Sequence, residues 1–181
     1  MEASGTAANR EARPARILLP IPSYGFDPTE AAIPWKILSA HGHQVELTTP
    51  TGARGSADTI MLTGKGLGIW KKLLMARADA VAAYRQMEGS RAFQKPLAYD
   101  EVHPASFDAI FLPGGHDKGV REYLESEVLH EIVASFFALG KPVGAVCHGV
   151  LLAARSLEAP TGKSVIHDRT VTSLLRSQEL L

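Results

Sequence analysis

Short apolar runs alternate with amphipathic stretches along most of the chain, and this alternation predicts strands and helices in turn. Prolines or glycines close most of the apolar runs, which gives them the length and the boundaries of strands. The predicted strands are 15–21, 44–49, 107–112 and 142–146. Two further segments, 164–166 and 170–172, are predicted as one bent strand or two short ones.

The first predicted helix has a well-defined start. Asp27 is a good N-cap, Pro28 suits the first helical position, and Glu30 falls in the first turn, where the helix dipole favours an acid. Gly42 is predicted to end this helix. Its expected buried residues are Ala31, Ala32, Trp35, Ile37 and Leu38.

Apolar residues spaced by three and four predict further helices. They cover 67–87, with a break near 76–79, then 126–139 and 150–156. The last ten residues have the pattern of a helix start. Three stretches are predicted as loop or irregular structure, namely 23–27, 52–66 and 89–101.

This order of elements predicts the α/β class, with a mostly parallel sheet covered on both faces. In such sheets ligands bind outside the carboxyl ends of the strands. Three segments follow predicted strands there: the loop before Glu30, the turn at Gly114 and Gly115, and the pair Cys147 and His148. We therefore expect these segments to meet in one cleft.

The composition narrows the class of protein further. The 181 residues suit one domain, predicted over 15–181, after a polar arm over 1–14 that lacks the apolar run of a signal peptide. The 19 basic and 19 acidic residues give no net charge, which argues against a nucleic-acid or anionic-membrane partner. No apolar stretch approaches the roughly 18 residues of a membrane span. The single cysteine excludes a disulfide framework, so a cytoplasmic location is expected.

That cysteine, Cys147, lies at a predicted strand-to-helix junction and is followed by His148 and Gly149. A sharp turn there would expose the sulfur as in a nucleophile elbow, and the amides of the next helix would lower the pKa of the thiol. The alternative is a small buried hydrophobic residue. His148 is a candidate base, or else a surface imidazole at a helix start.

Gly114 and Gly115 would let backbone amides face the cleft, where they and the His148 amide could bind an oxyanion; alternatively they form an ordinary turn. Glu30 is either a helix-start acid or a proton donor beside the sulfur, with a pKa raised by burial. His116 is a candidate cleft-lining residue. No spacing of His, Asp or Glu indicates a metal site, and no glycine motif indicates a dinucleotide, so no cofactor is expected.

The Ala-Val-Cys-His-Gly elbow, the Pro-Gly-Gly-His turn and the early Pro-Thr-Glu30 together resemble the ThiJ/PfpI family, within the class I glutamine amidotransferase-like superfamily. The stretches 26–35 and 66–70 resemble its chaperone and glyoxalase III branch. The resemblance implies a flavodoxin-like three-layer α/β/α sandwich, usually a homodimer. It also implies a nucleophilic Cys147 with Glu30 and His148 as partners and oxyanion amides from Gly115 and His148.

The chain departs from that pattern in two places. The branch uses a downstream acid to orient its histidine, and Asp168 is the candidate here, although it lies close to the cysteine in sequence. The resemblance also implies a further strand and helix after Leu181, so the sheet is expected to lack its last elements.

Three functions follow as hypotheses. The first is a cofactor-free cysteine enzyme that acts on small reactive carbonyls, as a glutathione-independent glyoxalase or deglycase that turns methylglyoxal into lactate. The second is an intracellular peptidase or amidase that works through an acyl-enzyme. The third is a redox-sensing chaperone without catalysis. Glutamine amidotransfer is disfavoured, because no downstream His–Glu pair is visible.

Overall fold

A computed structural model describes residues 13–66, 68 and 75–172. The predicted arm lies outside these residues except for its last two positions. The predicted terminal helix lies outside them except for Thr172, and so does most of the first half of the helix predicted over 67–87. No helix within the described part of the chain is both long enough and apolar enough to cross a membrane.

The molecule is built on a central parallel sheet. Within the described residues, five strands follow the order β5-β3-β1-β6-β7, and each neighbouring pair is parallel. Two further strands, β2 and β4, form a small separate parallel sheet. In chain order the strands are β1 (Arg16–Pro20), β2 (Tyr24–Phe26), β3 (Gln44–Thr49), β4 (Ser56–Ala57), β5 (Leu97–Ala98), β6 (Ala109–Leu112) and β7 (Val143–Ala145).

Helices connect these strands, because a parallel pair needs a crossover and cannot be joined by a tight hairpin. The α-helices of the described residues are α1 (Pro28–Ala40), α2 (Thr59–Thr63), α3 (Ala78–Glu88), α4 (Arg91–Gln94), α5 (Val120–Leu124), α6 (Glu127–Ala138) and α7 (Gly149–Arg155). Short 3-10 turns cover Tyr99–Glu101 and Pro104–Ser106.

Two neighbouring residues of β1 show how the sheet divides the interior. Leu18 and Leu19 are both fully buried, and successive side chains of a strand point to opposite faces. Leu18 belongs to an apolar cluster with Phe136 of α6 and Leu152 of α7. Leu19 belongs to a second cluster with Ala31 of α1. Helices therefore cover both faces, which confirms the predicted α/β class with a mostly parallel sheet.

The strongest sequence signals are confirmed in place. The predicted strand over 44–49 matches β3, and α1 begins at Pro28, where the Asp27 carboxylate caps the amides of Thr29 and Glu30. For one residue of this helix, Ile37, the prediction of burial is wrong. Ile37 is 52% exposed, because the buried stripe of α1 is narrow and rests on its small residues Ala31 and Ala32.

The hydrophobic pattern of the sequence did not predict the shortest strands and helices. The stretches predicted as loop contain β2, β4 and α2, and β5 lies in the segment predicted as irregular. The strand predicted near 164–172 is wrong. Residues 165–168 form a turn that buries Val165 and packs Ile166 on the core. The apolar residues of that segment therefore pack against the core and do not form a strand of the sheet.

The junction of β6 and α7 is too tight for a side chain at Gly149. A Cβ built there would lie 2.1 Å from the Leu112 carbonyl oxygen, so Gly149→Ala forces the backbone apart. We expect a loss of stability of about 3 kcal/mol or more by chemical denaturation. The matched control is Gly89→Ala. Gly89 has helical φ, and a Cβ there would meet its nearest atom, the Gln86 carbonyl oxygen, at an ordinary contact distance of 3.6 Å, so that change is expected to stabilise by about 0.5 kcal/mol. A near-wild-type Gly149→Ala would contradict this packing.

Candidate active site

Three chain segments meet at the carboxyl edge of the sheet. The loop after β6 runs along the start of α1, where the Asp27 amide donates to the Gly114 carbonyl oxygen at 3.0 Å. The chain after β7 runs along the end of β6, where the Val146 amide donates to the Leu112 carbonyl oxygen at 3.1 Å. The convergence predicted from strand ends is thus present in the fold.

Cys147 occupies a strained turn between β7 and α7. Its φ of 52° is left-handed, and among the described residues it is the sole non-glycine residue with positive φ. Residues other than glycine rarely adopt this backbone conformation, and backbone strain of this kind is concentrated at functional turns. The turn has the sharp backbone of the predicted elbow and leaves Cys147 half-buried, between the exposed sulfur and the buried residue that the sequence left as alternatives.

Glu30 approaches the sulfur from the first turn of α1. Its Oε2 accepts a hydrogen bond from the Gly114 amide at 2.9 Å, and its carboxyl group also hydrogen-bonds the Cys147 thiol. The carboxyl group is therefore fixed between a backbone amide and the sulfur.

The two glycines after β6 make this approach possible. A Cβ at Gly114 would lie 2.6 Å from the His148 amide nitrogen and 2.9 Å from Glu30 Oε2. At Gly115 φ is 153°, and a Cβ there would lie 2.8 Å from the Gly25 carbonyl oxygen. Only glycine fits both positions, so the turn places backbone where a side chain would block the cleft.

Two imidazoles lie close to the sulfur. The Nδ1 atom of His148 is 3.4 Å from Cys147 Sγ. The His116 ring contacts the His148 ring edge-on, with centroids 4.9 Å apart and planes at 84°. His116 is exposed, so it lies at the mouth of the site, and His148 is half-buried within it.

Burial changes the ionisation of the thiol and the carboxyl group. Burial first, and then the Asp27 charge, raise the pKa of Glu30. Burial first, and then the Glu30 charge, raise the pKa of Cys147 to about 11. The amides of His148 and Gly115 face the sulfur and lower its pKa, but they do not outweigh these effects. The expectation of a lowered thiol pKa is therefore wrong, because desolvation and a neighbouring carboxylate dominate.

The two raised values belong to one coupled pair. Glu30 and Cys147 share a hydrogen bond in a partly desolvated site, so two negative charges there are unfavourable. The pair therefore retains one proton over a wide pH range. The value near 11 describes the loss of that last proton, when a thiolate forms beside a carboxylate.

Asp168 lies elsewhere. Its side chain is 67% exposed, is 3.9 Å from Arg169, and lines a cavity against α6 with Glu131. The structure brings Glu30, Gly114, Gly115, His116, Cys147 and His148 together and leaves Asp168 outside this set.

Sequence reasoning missed two features of the site. Asp27, identified only as a helix cap, also raises the pKa of Glu30 through its charge. The ligand atoms of His116, Cys147 and His148 lie within 4.8 Å of one another, an arrangement that could hold a metal ion. Spacing along the chain could not show this, because His116 follows β6 and the other two follow β7.

The parallel sheet and the cysteine elbow, with an acid and a histidine against the sulfur, define a nucleophile-elbow α/β protein. The ThiJ/PfpI family-like profile matches residues 21–175. The chain belongs to the ThiJ/PfpI family, as its sequence motifs implied.

Relatives in this family carry enzyme names. Deglycase PfpI of Pyrococcus furiosus is 40% identical over 72 residues, which is 39% of this chain and 42% of that protein. Glutathione-independent glyoxalase HSP31 of Saccharomyces cerevisiae is 22% identical over 170 residues, covering 88% of this chain and 68% of that protein. The chain spans about half or less of the length of several curated relatives it matches.

Solved structures agree on the fold. Glyoxalase III from Candida albicans superposes with a TM-score of 0.69 at 20% identity, covering 91% of this chain and 70% of that chain. At this identity the likeness supports the shared architecture alone.

The coupled pair predicts how the alkylation rate of Cys147 changes with pH. In the wild type, iodoacetamide should report a step near pH 11, because the Glu30 carboxylate opposes loss of the last proton. Glu30→Gln removes that charge, so the thiol should titrate in one step at a lower pH. Asp168→Asn, on another cavity, should leave the profile unchanged. An unchanged upper step in Glu30→Gln would contradict the coupling.

Proposed function

We propose that the chain converts small 2-oxoaldehydes such as methylglyoxal into 2-hydroxy acids without glutathione, with Cys147 as nucleophile. The observation that carries the proposal is that the sulfur lies within reach of two proton-transferring groups, the Glu30 carboxyl group and the His148 Nδ1 atom, which is 3.4 Å away. A nucleophile with two such groups nearby suits a reaction that moves protons between neighbouring carbons.

The first step forms a carbon–sulfur bond. The Cys147 thiolate attacks the aldehyde carbon, and the carbonyl oxygen takes up a proton to give a hemithioacetal. The amides of His148 and Gly115 face the sulfur and are suited to stabilise the developing oxyanion. Glu30, which hydrogen-bonds the thiol, is suited to accept the thiol proton and pass it to that oxygen.

The next steps are an internal redox reaction and a hydrolysis. A base removes the proton from the former aldehyde carbon, and an acid returns a proton to the neighbouring ketone carbon through an enediol. The first carbon is thereby oxidised to a thioester and the second is reduced to an alcohol. Water then cleaves the thioester, releasing the hydroxy acid and the thiol. Glu30 and His148 are the residues positioned for these transfers.

Amide hydrolysis has less support from the same geometry. A cysteine hydrolase of the triad type orients its histidine with a carboxylate. The downstream acid expected for this role, Asp168, faces solvent and Arg169 on a different cavity. The carbonyl reaction needs no such triad, because the carboxyl group of Glu30 already contacts the sulfur.

The proposal predicts lactate from methylglyoxal in the absence of glutathione, measured with a stereospecific lactate dehydrogenase. Cys147→Ser should reduce the rate to background, because the nucleophile is lost. Glu30→Gln should reduce kcat by about 100-fold or more through loss of proton transfer. Glu131→Gln, on the exposed surface of α6, is the matched control and should retain full activity. Wild-type lactate formation by Cys147→Ser, or hydrolysis of a fluorogenic peptide in place of lactate formation, would reject the proposal.

A deglycase reaction is the second candidate, because several relatives bear that name. The same thiolate would displace an amine from the carbon of an aldehyde–amine adduct. The adduct of methylglyoxal with N-acetyl-lysine distinguishes the two reactions. A deglycase should release the amine faster than the adduct dissociates spontaneously. A glyoxalase that consumes free methylglyoxal can only match the spontaneous rate.

A further inference from the structure

We propose that His116, Cys147 and His148 form a binding site for a thiophilic divalent cation of the zinc type, which blocks the nucleophile reversibly. The three side chains each offer one ligand atom, and these atoms lie within 4.8 Å of one another. The blocking effect rests on the proposed function, whereas the binding itself does not.

The geometry is close to what zinc requires. Bonds of about 2.3 Å to sulfur and about 2.0 Å to nitrogen, at tetrahedral angles, hold sulfur and nitrogen ligands about 3.5 Å apart. Cys147 Sγ and His148 Nδ1 are 3.4 Å apart, so this pair needs little adjustment. The His116 ligand atom lies within 4.8 Å of the other two, and this exposed side chain must close the remaining distance to complete the set.

The chemistry of the three groups selects the cation. A thiolate with two imidazoles suits zinc and similar ions, whereas magnesium and calcium prefer oxygen ligands. Three protein ligands leave one tetrahedral position for water. The Glu30 carboxyl group, which hydrogen-bonds Cys147, adds negative charge near the cation when it is ionised.

The consequence for catalysis follows from the sulfur lone pairs. Coordination replaces the thiol proton, which is released to solvent, and occupies the electron pair that would attack an aldehyde. Cation and substrate therefore compete for the same atom. Removal of the cation by a chelator restores the free thiol, since no covalent bond to carbon has formed.

Cobalt(II) is the direct probe of this site, because thiolate coordination gives a charge-transfer band in the near ultraviolet and tetrahedral geometry gives strong visible bands. We expect one cobalt ion per chain, displaced by zinc and unaffected by magnesium. The charge-transfer band should be absent in Cys147→Ser. His116→Gln should raise the dissociation constant by at least about 10-fold. The matched control is His103→Gln, also exposed, which should bind as the wild type does.

Binding and catalysis are measured separately, so the two proposals can fail independently. Zinc should abolish lactate formation, and a chelator should restore it. A cobalt band without any lactate formation would reject the proposed function and leave the metal site standing. Lactate formation with no cobalt band, or a dissociation constant unchanged in His116→Gln, would overturn the metal site and leave the enzyme standing.

Discussion

The site depends on the hydrogen bond from the Gly114 amide to the Glu30 carboxylate, which joins the end of β6 to the first turn of α1. This contact forms only because Gly114 has no side chain. A Cβ there would meet both the carboxylate and the amide of His148. The same empty space lets the elbow of Cys147 approach the carboxyl group. Backbone close packing at one glycine therefore sets the distance between nucleophile and acid.

That proximity governs the electrostatics of the site. A half-buried carboxyl group beside a half-buried thiol resists a second negative charge, so the pKa values of both groups rise. The amides of His148 and Gly115 oppose this effect at the sulfur. The outcome is a pair that holds one proton, as the proposed carbonyl reaction requires, since that reaction must deliver and recover protons. The same sulfur and the two imidazoles near it are the ligands of the proposed cation site.

Local chemistry explains which parts of the fold could be predicted. Asp27 and Pro28 specify a helix start through capping and fixed φ, and Ser126 does the same before α6. The predicted burial of Ile37 is wrong, because the burial of a helix residue depends on which neighbouring elements cover its side of α1. The two-residue strands β4 and β5 are too short for any periodic signal, and they form only because longer partners are already in place.

The sequence alone determined the α/β class, the family, and the membership of Glu30, Gly114, Gly115, Cys147 and His148 in one cleft. These conclusions follow from local patterns, since strand ends of a parallel sheet must share an edge. Only the tertiary structure decided the direction of the thiol pKa, the exclusion of Asp168, and the approach of His116 to the sulfur. Desolvation and distances between separate loops depend on packing across the whole domain, which no local pattern records.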